Sequence, residues 1–152
     1  MTEINYWLMK SEPNAYSIDN LKIDGVTLWD GIRNYQARNF MRNMNKGDQV
    51  FFYHSNCKPP GIVGMMEVTD LNIVDPTQFD KDSNYFDPKS KPEKPRWDCV
   101  KVRYISKSNN ILSLHELKAL FSEDELLVVR KGNRLSIMPI RDDTAKILLG
   151  KI

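Results

Sequence analysis

The chain has 152 residues, 41% hydrophobic and 28% charged, which is the make-up of a soluble globular protein and not of a disordered one. Its 22 Lys and Arg against 20 Asp and Glu leave a net charge of +2, so no bulk cationic field holds it to nucleic acid or anionic lipid; a polyanion must be met by local clustering. The longest apolar stretches are too short to cross a bilayer, Met1–Glu3 has no basic leader, and Cys57 and Cys99 stand apart without a CxxC, so we expect one cytoplasmic domain over residues 1–152, with reduced thiols and no membrane partner.

Asn5–Met9 is an aromatic and aliphatic run ended by Ser-Glu-Pro, a strand followed by a turn. Ser17 is placed to cap a short helix through Leu21. Over Asn34–Met44, Ala37, Phe40, Met41 and Met44 recur at helical spacing, while Arg38 and Arg42 lie one turn apart on the other face. Lys46-Gly47-Asp48 turns the chain into a strand over Gln49–His54, and Ile62–Leu71 pairs back on it as a hairpin after Pro59-Pro60-Gly61. Residues 75–97 form an Asp/Pro/Lys loop carrying isolated aromatics at Phe79, Tyr85, Phe86 and Trp97, and a loop of that length is more often functional or mobile than idle. Val100–Ser106 alternates as a strand, and Ser113-Leu114-His115-Glu116 opens a helix to Leu120. Ser122–Glu125 repeats the capping pattern before Leu126–Val129. Leu135–Ile140 reads as the last strand and Arg141–Leu149 as a helix. Strands and short helices without regular alternation point to an α+β domain on a small, strongly curved sheet or barrel.

Several chemistries find no support. GxGxxG, GxxxxGK[ST] and GxSxG are missing, as is the zinc deaminase signature, and nothing in the chain calls for a cofactor. His54 and Cys57 offer an HxxC spacing, but a closed zinc site needs four ligands, and Cys99 and His115 are not paired locally. His54 with Ser55 or Cys57 leaves open half of a nucleophile–base pair, hence an enzyme acting on nucleic acid, with a hydrogen-bonded strand-end histidine as the plainer reading. The strongest feature is charge set against aromatics. From Gly31 to Gly47 stand Arg33, Arg38, Arg42 and Lys46 without an acid, and from Leu126 to Arg141 stand Arg130, Lys131, Arg134 and Arg141, again without one. Side by side, these stretches would form a positive groove for a phosphate backbone, with Arg38, Arg42 and Lys46 as phosphate contacts. Trp29, Tyr53 and Trp97 each sit beside polar or charged residues, where an aromatic face can stack an unpaired base; core packing is the alternative for each of them.

The segments Tyr6–Pro13, Trp29–Asn39, Tyr53–Asn56, Pro95–Trp97 and Arg134–Pro139 together resemble the EVE domain family over nearly the whole chain. That resemblance implies a PUA-like fold, a mixed and strongly curved β-barrel with short helices around it, akin to YTH domains. It also implies a non-enzymatic module that captures a modified, flipped base of DNA or RNA. Carried onto this sequence, Trp29 is the stacking platform, with Arg33 and Asn34 beside it. Lys10 and Ser11 line the mouth, Tyr53, His54, Ser55 and Asn56 form a second wall, Trp97 closes the pocket, and Arg134 and Ser136 reach phosphate or base. A small-molecule or protein-interaction module on the same fold is the further alternative.

Overall fold

A computed structural model describes residues 3–152; Met1 and Thr2, which belong to the reading of the N-terminus, lie outside the described residues. In chain order the elements are β1 (Tyr6–Ser11), α1 (Ile18–Asp24), β2 (Val26–Leu28), α2 (Tyr35–Arg42), β3 (Gln49–His54), β4 (Gly61–Val74), β5 (Asp98–Ser113), α3 (Leu114–Leu120), β6 (Ile137–Ile140) and α4 (Asp142–Leu149). Single 3₁₀ turns stand at Pro76–Phe79 and Leu127–Val129. One sheet takes all six strands in the order β2-β5-β4-β3-β1-β6, with β1 and β3 parallel and every other pair antiparallel. Its two edges, β2 and β6, are not joined. The expected mixed, strongly curved sheet is therefore curled without closing into a barrel.

The central strands are apolar at successive positions because both faces of the sheet are covered. On β1, Trp7 and Met9 join one buried cluster and Leu8 the other; on β3, Val50 and Phe52 face the first while Phe51 and Tyr53 face the second. Helices α1 and α2 close the first face through Ile18, Leu21, Ala37 and Met41. Helices α3 and α4 close the second through Leu117, Ala145 and Leu148. Each Ile, Leu or Met among them contributes about 1.5–3 kcal/mol by leaving water, and each Ala less. Between β3 and β4 the register runs Phe52↔Gly64 and then Tyr53↔Ile62, so Val63 is an extra residue that bends the hairpin. Gly64 is required there, since a Cβ would lie 2.4 Å from the Ser106 carbonyl oxygen.

Ser17 and Ser113 cap helices as expected from sequence, whereas Asn34, expected in the pocket, caps α2. Ser17 and Asn20 form a reciprocal capping box, and the Asn34 and Ser113 side chains accept the Ala37 and Glu116 N–H groups. Other elements differ from expectation. Strand β2 is too short to show a period. Leu127–Val129 closes a 3₁₀ turn. Strand β5 continues through the polar Lys107–Asn110 segment to Ser113, because β4 pairs with it out to Leu112 and Ser113. At the opposite edge, β6 carries Pro139, exposed and opposite Trp7.

The 75–97 loop is held from its centre. Fully buried Gln78 donates from Nε2 to the Asp75 and Trp97 carbonyls at 2.7 and 2.6 Å, and its Oε1 accepts the Trp97 N–H and the Ser90 hydroxyl. Both ends of the loop are thereby joined to one side chain.

Candidate nucleic-acid interface

An open cleft of about 900 Å³ lies where the end of β1, the segment after β2, the turn after β3 and the approach to β6 converge. Lys10, Ser11, Trp29, Ser55, Asn56, Arg134 and Ser136 line it, seven of the residues expected from sequence. The parallel β1–β3 pair sets Ser11 opposite His54, and Ser55 N–H donates to the Ser11 carbonyl at 3.0 Å, so both strands deliver their polar ends to one place. The Lys10 N–H donates to the Ser136 carbonyl, which brings in the segment before β6. Asn56, at φ 52°, occupies the left-handed region that asparagine tolerates, and its Nδ2 donates to Glu12. Burial depresses the pKa of the Lys10 ammonium, so an approaching anion would favour its charged form.

The aromatic content differs from expectation. Trp29 is only 7% exposed and meets Phe52 edge-on at 5.4 Å, so a small part of its ring reaches the cleft. Tyr53 lies buried against the second core with its ring 5.8 Å from the Lys10 ammonium, and burial pushes its hydroxyl pKa up to about 12. Trp97 is buried beyond the cleft lining, stacked on Tyr35 at 4.8 Å, with its indole N–H donated to Asp87 at 2.7 Å. Tyr85, 43% exposed, stands in the cleft wall instead. The only sequence signal for it is an isolated aromatic in a long loop. Asp30, Gly31 and Ile32 also line the cleft from within the Trp29–Asn39 motif. Desolvation, reinforced by nearby Asp75, raises the Asp30 pKa.

The arginines of the Gly31–Gly47 stretch are engaged with the protein itself. Arg33 donates to the Tyr85 carbonyl from Nε and Nη2 at 2.9 and 2.6 Å, to Thr77 Oγ1, and to buried Asp75 at 3.0 Å. Asp75 also accepts the Gly31 N–H at 2.8 Å. Burial alone would raise the Asp75 pKa, but hydrogen bonds from Thr77, Gly31 and Arg33 outweigh it and hold the carboxyl below its ordinary value. Arg38 reaches the Arg96 carbonyl and covers the Tyr35 and Trp97 rings, and Arg42 forms a forked pair with Asp98. Acids remote in sequence, Asp75 and Asp98, supply the partners that a local charge count misses. Lys46 borders a separate hollow of about 510 Å³ beside Asp70 and Lys101. Asn34 serves as the α2 cap.

His54 and Cys57 are likewise placed in local hydrogen bonds. His54 Nε2 accepts the Ile18 N–H at 3.1 Å, and burial lowers the imidazole pKa. The Cys57 thiol points to the Pro59 carbonyl. Among the described residues, no group of three or more His, Cys, Asp or Glu side chains converges as a metal site would require.

Residues 5–151 match the family model of the EVE domain. Thymocyte nuclear protein 1 of Homo sapiens is 39% identical over 163 residues, covering 95% of this chain and 72% of that protein. A crystal structure from Pseudomonas syringae superposes with a TM-score of 0.92 at 44% identity, covering 96% of this chain and 98% of its own. The human THYN1 protein, solved in complex with DNA containing 5-methylcytosine, superposes with a TM-score of 0.89 at 38% identity, covering 97% of this chain and 96% of its own. The relatives' nuclear name corrects the expected cytoplasmic location; reduced cysteines, one ground of that expectation, suit the nucleus equally. On a family match that spans almost its entire length, the chain belongs to the EVE domain family.

Proposed function

We propose that this chain binds DNA carrying a modified base, 5-methylcytosine in the first instance, by admitting the flipped base into the cleft between β1, β3 and the segment after β2. The observation that carries this reading is the lining: aromatic surface from Trp29 and Tyr85 beside the polar groups of Ser55, Asn56 and Ser136, with Lys10 and Arg134 as cations at the same opening. A base needs a π-face for stacking and polar groups for its edge, and its backbone needs cations. The likeness to a protein solved with methylcytosine-containing DNA supports the same ligand class.

The expected division of labour follows from magnitudes. Burying one added methyl contributes about 0.8 kcal/mol, roughly fourfold in affinity, so stacking supplies most of the binding and cleft shape supplies the methyl preference. Calorimetric titration with matched strands containing cytosine or 5-methylcytosine, at two salt concentrations, tests this. Tighter binding of the methylated strand is expected. Equal affinity for both strands, or affinity for neither, would overturn it. A methylated RNA strand that outcompetes the DNA would reassign the partner.

A further inference from the structure

Three aromatic side chains touch the cleft, and they are not equivalent. Trp29 is almost wholly buried, and Tyr16 has its hydroxyl committed to Asp24 at 2.8 Å. Of the three, Tyr85 alone is an exposed residue. An aromatic whose task is packing is normally covered, whereas this one is exposed on a backbone held at both its N–H and its carbonyl. Its N–H donates to Ser83 Oγ at 3.0 Å and its carbonyl accepts both nitrogens of the Arg33 fork. The ring lies on the backbone of Gly31: a Cβ built there would sit 2.8–2.9 Å from three ring atoms. Gly31 is itself fastened to Asp75, the carboxylate that holds Arg33.

We propose that Tyr85 is the aromatic wall on which a base entering the cleft stacks, and that Arg33, anchored by Asp75, is the positioning residue that keeps this wall in place. The proposal rests on the base-binding reading above and deepens it. It moves Arg33 from a direct contact with nucleic acid to an action through Tyr85. The geometry favours this because the guanidinium's donors are already directed at protein acceptors on Ile32, Asp75, Thr77 and Tyr85. It also gives the long 75–97 loop a task, which is to carry one ring to the cleft and hold it there.

The test is a thermodynamic cycle read by titration with the methylated strand. Tyr85→Ala, an exposed position, should weaken binding about 5- to 150-fold, the range for losing one aromatic stack, and Tyr85→Phe should restore it. Arg33→Lys retains the charge but not the fork, and should weaken binding in the wild-type background yet have no further effect in Tyr85→Ala. It should also leave the salt dependence of binding unchanged, and should speed amide exchange across residues 83–87. A wild-type protein that prefers the methylated strand, with Tyr85→Ala binding it equally well, would overturn the proposal and leave the base-binding reading intact. Additive losses in the double variant with a shallower salt slope would make Arg33 a phosphate contact and overturn its positioning role. A wild-type protein that binds no strand would end both readings.

Discussion

His54 Nε2 accepts the backbone N–H of Ile18 at 3.1 Å, fastening the last residue of β3 to the first residue of α1. Only a neutral imidazole can accept there, and burial lowers the folded-state pKa below 6.5. Below pH 6.5 the unfolded chain binds this proton before the folded one does, so stability falls as pH drops from neutrality through the depressed pKa. Urea titrations of wild type and His54→Gln at pH 7.5 and 5.5 should show a larger acid loss for wild type. An identical loss in both would exclude His54 as the cause.

Gln78 holds the two ends of the 75–97 loop together through four hydrogen bonds. Replacing it with leucine fills the space and strands buried polar groups, each at about 1–3 kcal/mol. We expect Gln78→Leu to lose on the order of 2–4 kcal/mol, and limited proteolysis to cut first within residues 80–96. Unchanged stability and an uncut loop would show that the ring of contacts around Tyr85 is sufficient alone.

Gly31 has φ +78°, and the Tyr85 ring occupies the space a Cβ would need. Gly31→Ala imposes about 1–2 kcal/mol of backbone strain. Because Tyr85 is an exposed residue, its ring should swing aside rather than unfold the chain. Binding of a methylated strand should therefore fall more than the melting temperature does. Titration and a thermal melt of the same preparation compare the two, and a large melting loss with intact affinity would contradict this order.

Lys10 and Arg134 line the cleft without an acidic partner among the described ion pairs, whereas Arg42 is forked onto Asp98. Each cation that neutralises a phosphate steepens the plot of log affinity against log salt by about 0.7 for a single strand. Lys10→Gln and Arg134→Gln should each flatten it by roughly that amount, and Arg42→Gln should not. A flatter slope for Arg42→Gln would return α2 to the phosphate path.

The sequence carried the elements whose signals are local. Ser17 and Ser113 announce their helices through side chains that bond within three residues, and the Ala37–Met41–Met44 stripe lies in the core as its spacing requires. It also carried the cleft segments, because Lys10-Ser11, Trp29, Ser55-Asn56 and Arg134 to Ser136 stand at strand ends that the sheet order brings together. What it could not carry was pairing at a distance. Arg33 and Asp75 are 42 residues apart, Arg42 and Asp98 56 apart, and no pattern along the chain distinguishes a solvated arginine from one with a partner in another loop. Aromatic roles failed to read out for the same reason. Trp97 and Tyr85 share a loop, and only its folded path buries the first and exposes the second.

Pro139 has a consequence for how this protein meets copies of itself. The Lys10 N–H bonds the Ser136 carbonyl, so, with alternate pairs bonded along β6, Trp7 and Pro139 face each other as a non-bonded pair and the Pro139 nitrogen is directed away from the sheet. In any other residue that nitrogen would offer a hydrogen to a newcomer strand. Here it offers none, and a chain docking along β6 would forfeit a bond in the middle of its ladder. The margin nearest Arg134 and Ser136 thus resists growth by strand addition, which keeps that side of the cleft from being walled off by self-association.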